Sequence, residues 1–284
     1  ALAALAMARL GLMEWLPAEE REAASRFACQ TLDSLRQVAS GETDPCSDPA
    51  AMACMLMTGE IVSRAPSGCM SEPLRTWLAS VRQKLLNWLE SGPDPTPMQA
   101  AMVLAALGQP AEAQLRPIAW VPASPERTVI ASPWLLDRGM PDAPAAWKAT
   151  LTQLASAQID AAHEDDSCAD LDGGWSNGGG PPRPNALSAR AALALATATR
   201  RPDVLAAEDR ATALRTLRRA MRFLLQLQAD ANACHAFRDP TKAMGGLRTA
   251  PWDTDQPIAA SSYALLAAMQ AAEALPEAGE GPQH

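Results

Sequence analysis

Aromatic residues make up only 4% of this chain, with one tyrosine, three phenylalanines and eight tryptophans. Residues that suit a pleated strand are scarce, and no stretch alternates apolar with polar over a convincing length. Together these absences exclude a substantial β-sheet. Positive charge is also short: 24 Lys and Arg stand against 32 Asp and Glu, for a net charge of −8. Nucleic acid is therefore not expected as a partner, because phosphate binding needs clustered cations. The basic run Arg215, Arg218, Arg219 and Arg222 falls on a single helix and reads as a solvated face. No apolar run reaches the roughly 18 residues that a membrane span needs, so none is expected. The first stretch is apolar but carries Arg9 and Glu14, unlike a signal segment. The six cysteines form no CxxC pair. Their even number permits disulfides, but Cys29 and Cys54 sit in apolar helical patterns, where a buried free thiol is the ordinary case. The cysteine count assigns no redox compartment, and no localisation follows from it.

What remains is alanine and leucine in helical rhythm, hence an all-α chain. Residues 1–14 are nearly all apolar. Pro17 opens a helix to about Ala39 with Glu19, Glu20 and Glu22 in its first turn, where the helix dipole favours acids. Its apolar face is expected to hold Phe27, Leu32, Leu35 and Val38. Asp48-Pro49 reads as the start of a small-residue helix to about Ser63. Residues 72–90 form an amphipathic helix, and Met98–Leu107 is again short and apolar. Apolar helices start near 1, 48, 96 and 185, with an amphipathic helix between each. The first three starts are evenly spaced, and the fourth follows after nearly a double interval. That predicts another apolar helix near Thr128–Asp137. Repeated helix pairs build a solenoid or a closed ring. In a ring the inner helices are apolar nearly all round, so we expect an α/α toroid of about five to six pairs over residues 1–275. The repeats at 145–275 are the best supported, and the tail 276–284 is expected to be disordered.

Two stretches in the second half share one plan. Asp172-Gly173-Gly174-Trp175 leads through a Gly/Pro loop to a small-residue helix at 185–199. Gly245-Gly246-Leu247-Arg248 leads through Trp252-Asp253-Thr254-Asp255-Gln256-Pro257 to another that ends near Glu273. The preceding helix ends Arg222-Phe223-Leu224-Leu225-Gln226-Leu227-Gln228, similar to the front of the QW repeat of squalene–hopene cyclases. Leu154-Ala155-Ser156-Ala157-Gln158 with Gly173-Gly174-Trp175 is an earlier copy. On these residues the chain resembles the terpenoid cyclase and protein prenyltransferase superfamily of α/α toroids. The resemblance implies that Gln158, Gln228 and Trp175 tie neighbouring helices together. The closing Gly-x-Trp of the second repeat is absent at its usual distance.

The resemblance also points to chemistry. Asp253-Thr254-Asp255-Gln256 is similar to the DxDD motif of class II cyclases, whose middle Asp protonates an alkene or epoxide. This makes Asp255 the candidate acid and Asp253 its partner, with Gln256 where the motif has its last Asp. The competing reading is that Asp253, Thr254 or Asp255 caps the last inner helix. The few aromatics speak against a cavity that guides carbocations. Trp175, Trp252, Arg248 and Tyr263 are the candidate substrate-binding residues. Asp166, Cys168 and His235 are similar in type to the prenyltransferase zinc ligands, but their spacing is a poor match for a zinc site, and no metal or other cofactor is expected. The acidic run His163-Glu164-Asp165-Asp166 with Asp170 and Asp172 reads as a solvated loop rather than a calcium site. Three functions follow. The first is a non-catalytic module that binds a hydrophobic small molecule or a protein at the barrel mouth. The second is a cyclase-like enzyme acting on an isoprenoid. The third is a carbohydrate-active α/α barrel using Asp172, Trp175, Trp252 and Asp255.

Overall fold

The computed structural model describes residues 1–39, 44–65, 68–107, 129, 133–134, 136, 144–160, 170–176, 184–232, 234 and 237–275. Among these the only regular elements are helices, so the chain is all-α as expected. It divides into two units, Ala1–Val121 with Asp137–Met140, and Pro122–Leu136 with Pro141–His284.

In the first unit, α1 (Leu2–Leu10), α3 (Pro49–Arg64) and α5 (Pro97–Leu107) pack side by side. The long α2 (Ala18–Val38) covers α1, and α4 (Glu72–Ser91) covers α3. The division follows the residue pattern. On α3, Met52, Ala53, Cys54, Met55, Met57 and Val62 are all buried, on several sides of the helix. Asp48 starts α3 as expected, its carboxylate accepting from the amides of Ala50 and Ala51 at 3.2 and 3.3 Å. Ser71 does the same for α4 through the Leu74 amide. The alternation of apolar and amphipathic helices therefore reflects an inner and a covering layer.

Two expectations for α2 are corrected. Its buried face is Ala24, Ser25, Ala28, Cys29 and Leu32, while Phe27 and Val38 are about half exposed. Small side chains let α2 lie close against α1, which turns the bulkier Phe27 outward. Cys29 is not a free thiol: it is bridged to Cys69, with Cα atoms 6.2 Å apart. The bond ties α2 to the segment that enters α4. Cys54 is free and buried as expected, as is Cys46. Burial pushes the Cys54 thiol up to about 12 and the Cys46 thiol up to about 11.

The second unit repeats the two-layer plan. Inner helices α7 (Ser188–Thr199) and α10 (Ile258–Ala274) pack along each other, and outer helices α6 (Pro144–Ala157) and α8 (Ala207–Leu227) are neighbours behind them. A short α9 (Pro240–Ala243) lies between α8 and α10 in sequence. Every residue of α7 is buried except the half-buried Arg190. Across the expected helix near 128–137, Val129, Pro133, Trp134 and Leu136 are helical, and the rest of that stretch lies outside the described residues.

Reducing the Cys29–Cys69 bridge is expected to cost about 4 kcal/mol on the loop-entropy account. The urea midpoints of oxidised and reduced protein measure it, and the Cys29→Ser/Cys69→Ser variant should match the reduced form. Equal midpoints would show that the two sulfurs are not joined. Cys46 and Cys54 should react with a disulfide reagent at pH 8 only after unfolding, because the thiolate is the reacting species.

Candidate functional site

Both outer helices of the second unit end with the same set of bonds. After α6, Ile159 exchanges two backbone hydrogen bonds with the glycine pair: its amide donates to the Gly174 carbonyl and its carbonyl accepts from Gly173, both at 3.0 Å. After α8, Ala229 does the same with Gly246 and Gly245, both at 2.8 Å. Gln158 then bridges to Trp175, and Gln228 to Leu247. The next amide of each copy reaches the inner helix. Trp175 donates to the Ser188 hydroxyl in α7 and Leu247 to the Ser261 hydroxyl in α10, each at 3.1 Å. The shared plan read from the two glycine stretches is therefore a structural repeat, and Leu247 stands where the first copy has its tryptophan.

The first glycine of each pair has a backbone only glycine adopts easily, φ +87° at Gly173 and +82° at Gly245. They differ in surroundings. A Cβ on Gly173 would collide with the Arg219 carbonyl, whereas nothing lies near the same point on Gly245. Gly173 is thus required twice over, by conformation and by the approach of α8.

Side chains complete each joint differently. The buried Gln158 amide donates to the carbonyls of Gly173 and Thr216, each at 2.9 Å. The Trp175 indole donates to the Leu154 carbonyl at 2.8 Å. Both satisfy backbone acceptors, and Leu154 lies in the last turn of α6, where carbonyls lack helical partners. Gln228 is exposed and takes part through its backbone instead. In the second copy the guanidinium of Arg248 supplies the bonds, donating to the carbonyls of Gln226, Leu227 and Pro251. A cation on the last carbonyls of α8 also suits the helix dipole. Arg219 clamps the first copy from α8. It donates to the Ile159 carbonyl at 2.8 Å and pairs with Asp172 at 2.6 Å and Asp160 at 3.1 Å. Burial works against its charge, but the two carboxylates outweigh that and hold its pKa above the ordinary guanidinium value. Asp172 is therefore engaged in a structural pair.

The DxDD-like stretch does not cap α10. The cap position is Pro257 and no side chain bonds to the free amides there. Asp253 instead accepts from the Asp255 amide at 3.0 Å, a local turn. Asp255 is exposed, and its backbone carbonyl accepts from the amide and hydroxyl of Thr249 at 2.7 and 3.1 Å. Gln256 lies over Gly246 and its amide donates to the Ala243 carbonyl at 3.0 Å. A carboxylate cannot donate, so this position is built for an amide.

The remaining candidates separate by exposure. Trp252 is 62% exposed, whereas Trp175 and Tyr263 are buried. Trp175 and Asp255 lie at the same end of the unit: Ser188 links Trp175 to the start of α7, and the Ala186 amide bonds to Thr249, which bonds to Asp255. Tyr263 faces Arg190 and Trp134 one to two turns further in. Asp166, Cys168, His235 and the run at 163–166 lie outside the described residues, among which no group of acidic, cysteine and histidine side chains could hold a metal. No described helix is long and apolar enough to cross a membrane. In the first unit, an open groove of about 720 Å³ runs between the end of α2 and α4, past Arg36, Trp77 and Lys84. The basic run expected as a solvated face holds for Arg215, Arg218 and Arg222, which are exposed, but not for Arg219, which turns inward to its two carboxylates. Sequence reasoning passed over Ser188, Ser261 and Arg190. Aligning the two glycine stretches would have paired the serines, and an arginine in a helix of alanines was the signal for Arg190.

Set against known protein families, characterised proteins and solved structures, the chain matches none.

Replacing Gly173 by Ala should cost more stability than replacing Gly245, where about 1 kcal/mol of conformational strain is expected; comparable losses would refute the α8 contact. Gln256→Asp completes a DxDD sequence but removes the donor to Ala243. A loss of about 1–2 kcal/mol in urea unfolding is expected, and no loss would show that the bond is idle.

Proposed function

We propose that the chain is a non-catalytic binding module, related in architecture to the α/α-toroid cyclases and prenyltransferases. It takes a hydrophobic small molecule or a protein segment at the end of the second unit where α7 and α10 begin. One observation carries this reading. Among the described residues of that unit, the large apolar side chains that stand exposed are Leu187, Leu225, Met244, Trp252 and Ile258, between 44% and 73% accessible. Each lies within two residues of the bonds that join the end of α8 to the starts of α7 and α10. Leu187 follows Ala186, bonded to Thr249, and Leu225 precedes Gln226, bonded to Arg248. Trp252 follows Pro251, the other acceptor of Arg248, while Met244 and Ile258 flank the Ala243–Gln256 bond. Scattered single apolar residues are ordinary on a surface, but a gathered set marks a contact site.

The repeated joint, with its glycine pair and its buried Gln158 and Trp175, supports the toroid architecture. Acid catalysis on an isoprenoid draws less support. An acid that protonates an alkene works from a dry apolar cavity, and Asp255 is exposed. A carbohydrate reading would use Asp172 and Trp175, which are held by Arg219 and by Leu154 and Ser188.

A neutral apolar dye such as Nile red tests the reading. Saturable emission is expected with the native protein, weakened about fivefold or more in Trp252→Ser/Ile258→Ser through lost apolar contact. Both side chains are largely exposed, so the fold should survive, as circular dichroism would verify. Dye binding that ignores the double substitution would sink the proposal.

A further inference from the structure

Arg190 is the single charged residue of α7, and it stands in the first turn of that inner helix. Its guanidinium carbon lies 5.0 Å from the centroid of the Tyr263 ring on α10. Tyr263 in turn meets Trp134, with ring centroids 6.4 Å apart and planes tilted by 59°. The Nε of Arg190 is shut off from solvent and has no hydrogen-bond partner. The residue as a whole is half-buried, so part of it reaches solvent.

Other arginines of the unit are differently placed. Arg200 is held by Gln270 and Glu273, Arg201 by Asp203 and the Leu136 carbonyl, Arg219 by its two carboxylates, and Arg248 by three carbonyls. Those four brace the fold. Arg190 makes no ion pair or hydrogen bond among the described residues, and its guanidinium lies over the Tyr263 ring, a cation–π contact. A half-buried guanidinium that lies over a ring and spends no donor on the described residues is suited to bidentate recognition of a carboxylate. One cation in a chain of net charge −8 suits a single negative charge better than a phosphate dianion. About one turn of helix above it lies the apolar rim, with Leu187 next to the start of α7 and Ile258 at the start of α10.

We infer that Arg190, stacked on Tyr263, is the head-group site for an apolar monocarboxylic acid whose hydrocarbon part lies on the rim formed by Leu187, Trp252 and Ile258. This rests on the binding reading above and names the ligand class for it. Arg190 supplies the charge and the paired donors, Tyr263 keeps the guanidinium in plane, and the rim supplies affinity in proportion to buried apolar area.

Displacement of bound Nile red by dodecanoate and by dodecanol, both below micelle formation, separates the two parts. In the native protein dodecanoate should compete about tenfold more tightly than the alcohol, the increment of a charge-assisted bond pair. Arg190→Gln should erase that preference while leaving dodecanol and the dye unchanged. Arg190→Lys, which keeps the charge but loses the fork, should fall between. Equal competition by acid and alcohol, or a preference that survives in Arg190→Gln, would overturn the carboxylate site and leave the apolar rim standing. Dye binding that neither compound displaces would also overturn it. Failure of the dye to bind the native protein at all would instead remove the binding reading beneath. Circular dichroism of each variant guards against loss of fold. Should Arg190→Gln fail to fold, Tyr263→Leu serves as the second variant, expected to weaken the acid and spare the alcohol.

Discussion

A residue just past each outer helix of the second unit exchanges two hydrogen bonds with a glycine pair, and the placement of the inner helices depends on that exchange. An outer helix ends with unsatisfied carbonyls. The returning chain must come close enough to use that end and then turn toward the inner layer. Glycine at positive φ allows the turn. The next amide is then aimed at a serine near the start of the inner helix. One short-range arrangement thus sets where an outer helix stops, where an inner helix starts, and which loop lies between. It occurs after α6 and again after α8, so the two copies share a frame although their side chains differ.

Those differences show what the joint needs and what it tolerates. The first copy uses a buried glutamine amide and an indole to satisfy carbonyls, with Arg219 clamping from α8. The second copy has a leucine in place of the tryptophan and assigns the carbonyls to Arg248 and Gln256. Both solutions provide donors to backbone acceptors near a helix end, the common requirement when such groups are withdrawn from water. The first glycine is constant between the copies because no other residue supplies the positive φ at so little cost, and the second because a Cβ would meet Pro184 at Gly174 and Gln256 at Gly246.

Much of this is legible in the sequence. Scarce strand formers and abundant alanine set the all-α class, and the alternation of apolar and amphipathic helices separated inner from covering layers. The glycine stretches were visible as a pair because glycine, unlike most residues, reports its backbone directly. Side-chain partners over long sequence distances were not legible. The pairing of Cys29 with Cys69 depends on how α2 lies against the entry to α4, which apolar pattern alone does not encode. The outward turn of Phe27 has the same origin: small Ala24 and Ala28 win the close contact with α1. The capping alternative for Asp253, Thr254 or Asp255 rests on residue types that favour caps, whereas a proline at the cap position and a local turn take up that stretch. Arg190 was passed over because nothing in its neighbours along the chain announces Tyr263.

The same bonds explain why an apolar rim stands where it does. Backbone and side-chain donors at the joint are spent on carbonyls, which fixes the loop between α8 and α10 and the entry to α7 against each other. Within two residues of these bonds the chain carries five large apolar side chains that stand exposed. A purely structural joint has no use for tryptophan and isoleucine in water; polar residues there would keep every bond intact. Leu187, Trp252 and Ile258 therefore ask for an explanation beyond folding, and so does Arg190, about one turn below, which has no ion pair or hydrogen bond among the described residues. The proposed ligand, with an apolar body and one negative charge, would engage both through residues whose side chains the joint does not use.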